Sequence, residues 1–95
     1  VGANRIELSG RLLAEPELRI TPAGTPVLRI IVECGDAAEK LALGVVMAGE
    51  RGRAVRASLR RGGAVEVSGR LRIAAARGAA GAGVEVVAER IEASG

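Results

Sequence analysis

Apolar and polar residues alternate along most of this chain. From Arg5 to Leu12, Ile6, Leu8 and Leu12 fall on one side and Arg5, Glu7, Ser9 and Arg11 on the other. Successive side chains of an extended backbone point to opposite faces, so a period of two reads as a half-buried strand. Pro16 interrupts the pattern, and Glu17–Thr21 resumes it with Leu18 and Ile20 expected inward. Residues 5–21 therefore predict one long bent strand, with Gly10 marking a bend. Thr21-Pro22-Ala23-Gly24-Thr25-Pro26 is dense in turn formers, Pro presetting φ and Gly supplying a positive φ, and predicts a tight hairpin connection. A second strand follows over Val27–Glu33, with Leu28, Ile30 and Val32 inside and Arg29 and Glu33 outside. Cys34–Lys40 reads as a small polar loop. Leu41–Met47 reads as a third strand, carrying Leu41, Leu43, Val45 and Met47 on one face.

The period then changes. Between Glu50 and Arg61, Val55 and Leu59 stand four apart with Ala54 and Ala57 beside them, while Arg53, Arg56 and Arg60 face away. This spacing predicts a short amphipathic helix stopped by Gly62-Gly63. Ala64–Ile73 returns to strand, setting Val65, Val67, Leu71 and Ile73 against Glu66, Ser68, Arg70 and Arg72, with Gly69 inside it. Ala74–Gly83 is Ala and Gly except for Arg77, predicting a flexible hairpin loop. Val84–Ile91 is the last strand. Five short strands with one short helix between the third and fourth predict an all-β, five-stranded oligonucleotide/oligosaccharide-binding (OB) barrel, a single domain over residues 1–95. A strand that curls sharply at a barrel corner leaves no room for a Cβ, which gives Gly10 and Gly69 a physical reason.

Composition supplies the core and removes most chemistry. Six Ile, nine Leu and eleven Val give 26 aliphatic side chains, with 18 Ala as filler. A chain this short leaves about a third of its surface uncovered, which favours a dimer or a partner. There is no His and one Cys, Cys34. That excludes imidazole acid–base pairs, the Ser-His-Asp triad and thiolate–imidazole zinc sites, so neither an enzyme nor a cofactor is expected. Cys34 cannot close an intramolecular disulfide, no secretory leader is visible, and no apolar run approaches the roughly 20 residues of a membrane span. A cytoplasmic protein with no membrane partner is expected. The chain opens on Val1 rather than Met, which leaves open whether its termini are complete. Its net charge of +3 comes from 13 Arg and Lys40 against 11 acids. Arg binds phosphate bidentately and stacks on planar groups, which keeps nucleic acid open. With no Phe, Trp or Tyr, however, the usual stacking surface for single-stranded bases is absent.

Several segments resemble a known family. Asn4-Arg5-Ile6-Glu7-Leu8-Ser9-Gly10 is similar to the opening strand of the primosomal replication protein N (PriB) family. Leu18-Arg19-Ile20-Thr21-Pro22-Ala23-Gly24-Thr25-Pro26 resembles its first hairpin, of which bacterial single-stranded-DNA-binding proteins carry a related version. Arg61-Gly62-Gly63-Ala64-Val65-Glu66-Val67-Ser68-Gly69-Arg70-Leu71 and Ala88-Glu89-Arg90-Ile91-Glu92 resemble the fourth and closing strands of both groups. The resemblance implies an OB-fold homodimer that pairs first strands across a two-fold axis, binds single-stranded DNA and acts with the primosomal helicase and other replication-restart proteins. Arg19 matches a basic residue before the first turn, and Arg77 is what remains of a basic loop. The family's stacking aromatic falls among Gly44–Val46, where nothing planar stands, and a further basic position falls near Gly35.

The expected nucleic-acid-binding residues are accordingly Arg19, Arg29, Arg70, Arg72 and Arg77. The competing reading is surface charge, with Arg29 paired across strands to Glu33 or Glu66. Arg5, Glu7, Ser9 and Arg11, outward on the first strand, are the expected homodimer contacts, since the edge of that strand needs covering. Arg53, Arg56, Arg60 and Arg61 read as a solvated helix face or a docking patch for an acidic partner. Two rivals remain. One is a single-stranded-DNA-binding protein proper, which usually carries a long flexible tail ending in acidic residues, where this sequence ends soon after Ile91. The other is a protein-docking OB module with little DNA affinity.

Overall fold

The computed structural model describes residues 2–73 and 83–94; Arg77 and nearly all of the expected Ala/Gly loop lie outside them. The alternating segments become strands β1 (Ile6–Leu12), β2 (Glu17–Ile20), β3 (Pro26–Gly35), β4 (Lys40–Ala48), β5 (Ala64–Ile73) and β6 (Val84–Ala93). Helix α1 (Glu50–Arg56) lies between β4 and β5. β1 and β2 are two legs of the bent strand. Both run antiparallel to β3, β1 through Arg11↔Glu33 and Leu12↔Val32, β2 from Glu17↔Arg29 to Ile20↔Pro26. At the break the Leu13 N–H still donates to the Ile31 carbonyl at 2.9 Å. β3 pairs with β4, β4 with β6 in parallel, β6 with β5, and β5 with β1, which closes the barrel. Counting β1 and β2 as one bent strand, this is the five-stranded OB barrel that the alternation predicts.

The inward rows form one core, in which Leu28, Ile30, Val32, Val45, Val65 and Val86 are the largest fully buried side chains. Glycines set where backbones cross. A Cβ at Gly10 would overlap the Glu33 carbonyl, and one at Gly69 the Val87 carbonyl, where β5 shifts register against β6 between Ser68 and Gly69. Both glycines therefore serve the corners. The hairpin after β2 is tied by Gly24 N–H to the Thr21 carbonyl at 2.8 Å and Thr21 N–H to the Thr25 carbonyl at 2.9 Å, with Gly24 at φ 89°.

Four expected inward residues are exposed: Ile20 (56%), Leu41 (53%), Leu71 (36%) and Ile73 (81%). Each sits at or near a strand end, where the inward face has run past the packed interior. The helix also stops at Arg56 rather than Arg61. Ser58 turns the chain: its N–H and Oγ both donate to the Val55 carbonyl, at 3.0 and 2.8 Å, and Leu59 N–H follows with a bond to Arg56 at 3.1 Å. Such local side-chain bonding competes with helix continuation, and here it drops Leu59 into the core. Gly62-Gly63 is no helix cap. It belongs to a separate turn, with Gly63 N–H on the Arg60 carbonyl, and is bonded to Leu12 on both its polar groups.

Candidate nucleic-acid interface

Strand register decides which outward side chains share a surface, because paired residues point to the same face of the sheet. One outer row runs Arg70, Val87, Val46, Arg29 across β5, β6, β4 and β3. The next runs Arg72, Glu85, Gly44, Ile31. Arg19 pairs with Val27, which pairs in turn with Ala48, so it extends the same face. Arg19, Arg29, Arg70 and Arg72 are thus brought onto one side of the barrel. Three strand spacings separate Arg70 from Arg29, roughly 14 Å at the backbone. The floor between them is small and uncharged except for Glu85.

Glu85 is the one buried charged side chain among the described residues. Arg72 Nε donates to its Oε2 at 2.6 Å, and Arg29 Nη1 lies 3.8 Å from its Oε1. Arg29 reaches it by crossing Gly44: a Cβ on that residue would stand 3.4 Å from Arg29 Nη2 and 3.8 Å from its Cζ. The expected pairing of Arg29 with Glu33 or Glu66 is therefore corrected. Glu33 is four residues further along β3, about 13 Å away in extended chain, and Glu66 lies between Ser9 and Glu92 on the opposite part of the barrel. The place where the family resemblance puts an aromatic consequently holds a planar group after all, lent by the neighbouring strand.

The other arginines are freer. Arg19 lies 3.6 Å from Glu17 with both side chains largely in solvent, a pair that contributes little. Arg70 has no ion-pair partner among the described residues. Asn4, which pattern reading did not single out, steadies the backbone between Arg70 and Arg72. Its Nδ2 donates to the Leu71 carbonyl at 2.8 Å and its Oδ1 accepts from the Leu71 N–H at 2.9 Å. β1 reaches only as far as Ile6↔Gly69, so the Asn4 amide supplies Leu71 with the strand neighbour it otherwise lacks.

The expected dimer residues lie on another surface. Arg5, Glu7, Ser9 and Arg11 are exposed. Glu7 pairs with Ser68 and Ser9 with Glu66, whose own partners on β6 are Arg90 and Glu92. One edge of β1 is taken by β5 over Ile6–Arg11. On its other edge β3 pairs only with Arg11 and Leu12, so Ile6–Gly10 has no strand there among the described residues. Arg11 Nη1 donates within the chain to the Gly62 carbonyl at 3.1 Å. Arg53, Arg56, Arg60 and Arg61 are exposed, with Arg53 3.2 Å from Glu50 on the helix. Among the described residues no helix is long and apolar enough to cross a membrane.

No individually curated protein matches the chain. The family model described as "Single-strand binding protein family" matches residues 3–94, nearly the whole length. An OB barrel with four arginines on one outer face suits that match, and the chain belongs to the single-strand binding protein family, whose members bind single-stranded DNA.

Proposed function

We propose that this protein is a homodimeric accessory protein of replication restart, binding single-stranded DNA across the outer face of β3, β4, β6 and β5. The observation that carries this reading is the shared face of Arg19, Arg29, Arg70 and Arg72 over a floor of small side chains in which Glu85 is the one acid. Cationic side chains that track a single strand release its counterions on binding, so phosphate contacts supply most of the affinity here. The absence of aromatics keeps that affinity modest, since stacking is worth about 1–3 kcal/mol per base. The likeness of the opening, hairpin and closing segments to primosomal replication protein N supports the restart role, with the primosomal helicase and other restart proteins as partners.

The open edge of β1 supports the dimer. Antiparallel pairing with a second copy satisfies that edge and the isologous symmetry of a two-fold contact. A register centred on Ile6 sets Glu7 of each copy opposite Arg5 of the other, which matches opposite charges and leaves the Arg11–Leu12 pairing with β3 intact. Light scattering at micromolar concentration is expected to give twice the 9.6 kDa chain mass; a monomer rules the pairing out.

The function is tested with a fluorescently labelled oligo-dT, since the chain has no Trp to report binding. Anisotropy across a salt series is expected to show binding that weakens steeply. The slope of log K against log salt falls near −2 to −3, at about 0.7 per phosphate engaged. The engagement of two arginines by Glu85, which offsets one of their two charges, favours a second reading, the protein-docking OB module. Binding that is undetectable even at low salt promotes that module and ends the DNA reading.

A further inference from the structure

Arg29 is held unlike the other arginines of its face. We infer that its guanidinium, laid over Gly44, is a base-stacking plane rather than a phosphate contact, and that Glu85 is the positioning residue that keeps it there. This rests on DNA binding at the face described above. Exposure separates the group from its neighbours: the Arg29 side chain is 29% exposed, against 50% for Arg72 and 79% for Arg19. It lies along the sheet instead of projecting into solvent. Its location is central, with Nη2 and Cζ above Gly44 and Nη1 toward Glu85.

Charge points the same way. A buried carboxylate flanked by two guanidinium groups cancels much of their attraction for phosphate, and a phosphate would compete with Glu85 for the same donors. A base ring would not, because it uses the face of the guanidinium and leaves the edge to the carboxylate. Arginine planes serve as stacking surfaces for unpaired bases. In a chain with no Phe, Trp or Tyr, such a plane is what the centre of this face has to offer. Gly44 leaves the guanidinium room to lie close to the floor, where even a Cβ would already touch it at 3.4 Å.

The test compares labelled oligo-dT with an abasic strand of equal length, which keeps the phosphates and lacks the bases. The readout is the ratio of the two affinities, which cancels general electrostatics. Arg29→Ala and Arg29→Lys are each expected to lower the ratio about tenfold, because lysine restores the charge and not the plane. Glu85→Ala is expected to lower it about threefold while tightening the abasic strand. Arg70→Ala is expected to weaken both strands alike, leaving the ratio unchanged and reducing the salt slope by about 0.7. An Arg29→Lys protein with the wild-type ratio overturns the inference, as does an Arg29→Ala protein that behaves like Arg70→Ala. An unchanged ratio in Glu85→Ala removes the positioning role. Wild-type protein that binds neither strand fails differently, by sinking the DNA reading itself.

Discussion

Gly69→Ala is expected to lower the melting temperature by roughly 12–24 °C, from a loss of about 3 kcal/mol in a domain of this size. The reason is steric. A Cβ on Gly69 would overlap the Val87 carbonyl and lie 2.9 Å from the Cα of Ala88. Both obstacles are backbone, so no side chain can swing away to make room. The site is also where β5 slips register against β6, between Ser68 and Gly69, and a bulge of this kind gives a barrel strand its corner. Relief would require moving β6 outward, which loosens Val86 and Ala88 in the core. Gly2→Ala, with nothing within 4 Å of the added Cβ, is the matched control and is expected to melt like the wild type. Thermal melts followed by circular dichroism decide the point. A Gly69→Ala protein melting within about 3 °C of wild type, less than the shift from 1 kcal/mol, would mean that the crossing relaxes freely.

The second large effect is on binding. Arg70→Ala combined with Arg72→Ala is expected to weaken oligo-dT binding about thirtyfold at low salt, taking roughly 1 kcal/mol for each lost contact. The salt slope is expected to fall by about 0.7 to 1.4, one single-strand increment for Arg70 and a part of one for Arg72, whose charge Glu85 offsets. Losing Arg72 also leaves Glu85 with Arg29 as its remaining partner, which adds a poorly compensated carboxylate to the face. Arg53→Ala with Arg56→Ala removes the same charge from α1 and is expected to leave the slope nearly unchanged. Equal losses from the two pairs, measured by anisotropy, would show that net charge alone governs binding and that the β5 arginines have no special place.

Much of the fold is legible in the sequence because its signals are local. Alternation marks each strand, the Thr21–Pro26 turn residues mark the first hairpin, and Gly10 and Gly69 mark the corners. What local pattern cannot give is extent. Alternation says which face Ile20, Leu41 and Ile73 belong to, but not that the barrel interior ends before them. The helix over-ran for a similar reason. Val55 and Leu59 keep helical spacing although Ser58 has already turned the chain between them.

The candidate site divides the same way. That Arg29, Arg70 and Arg72 point outward follows from the period of two. That Arg29 and Arg72 meet at Glu85 follows from strand order, through the parallel β4–β6 pairing that sets Gly44 beside Glu85. A Gly on one strand, an Arg two residues off its partner and a carboxylate on the strand beyond form a recognisable arrangement once the order is known. Asn4 is hidden likewise, since its two bonds to Leu71 depend on where β1 begins.

The central claim is that single-stranded DNA lies across the outer face of β3, β4, β6 and β5. Backbone amide chemical-shift mapping during an oligo-dT titration tests it most directly. The largest changes are expected at Arg29, Gly44, Arg70 and Val87, with Glu7 and Ser9 on β1 unmoved. Changes concentrated on β1 or on α1, with Gly44 and Val87 silent, would contradict the claim.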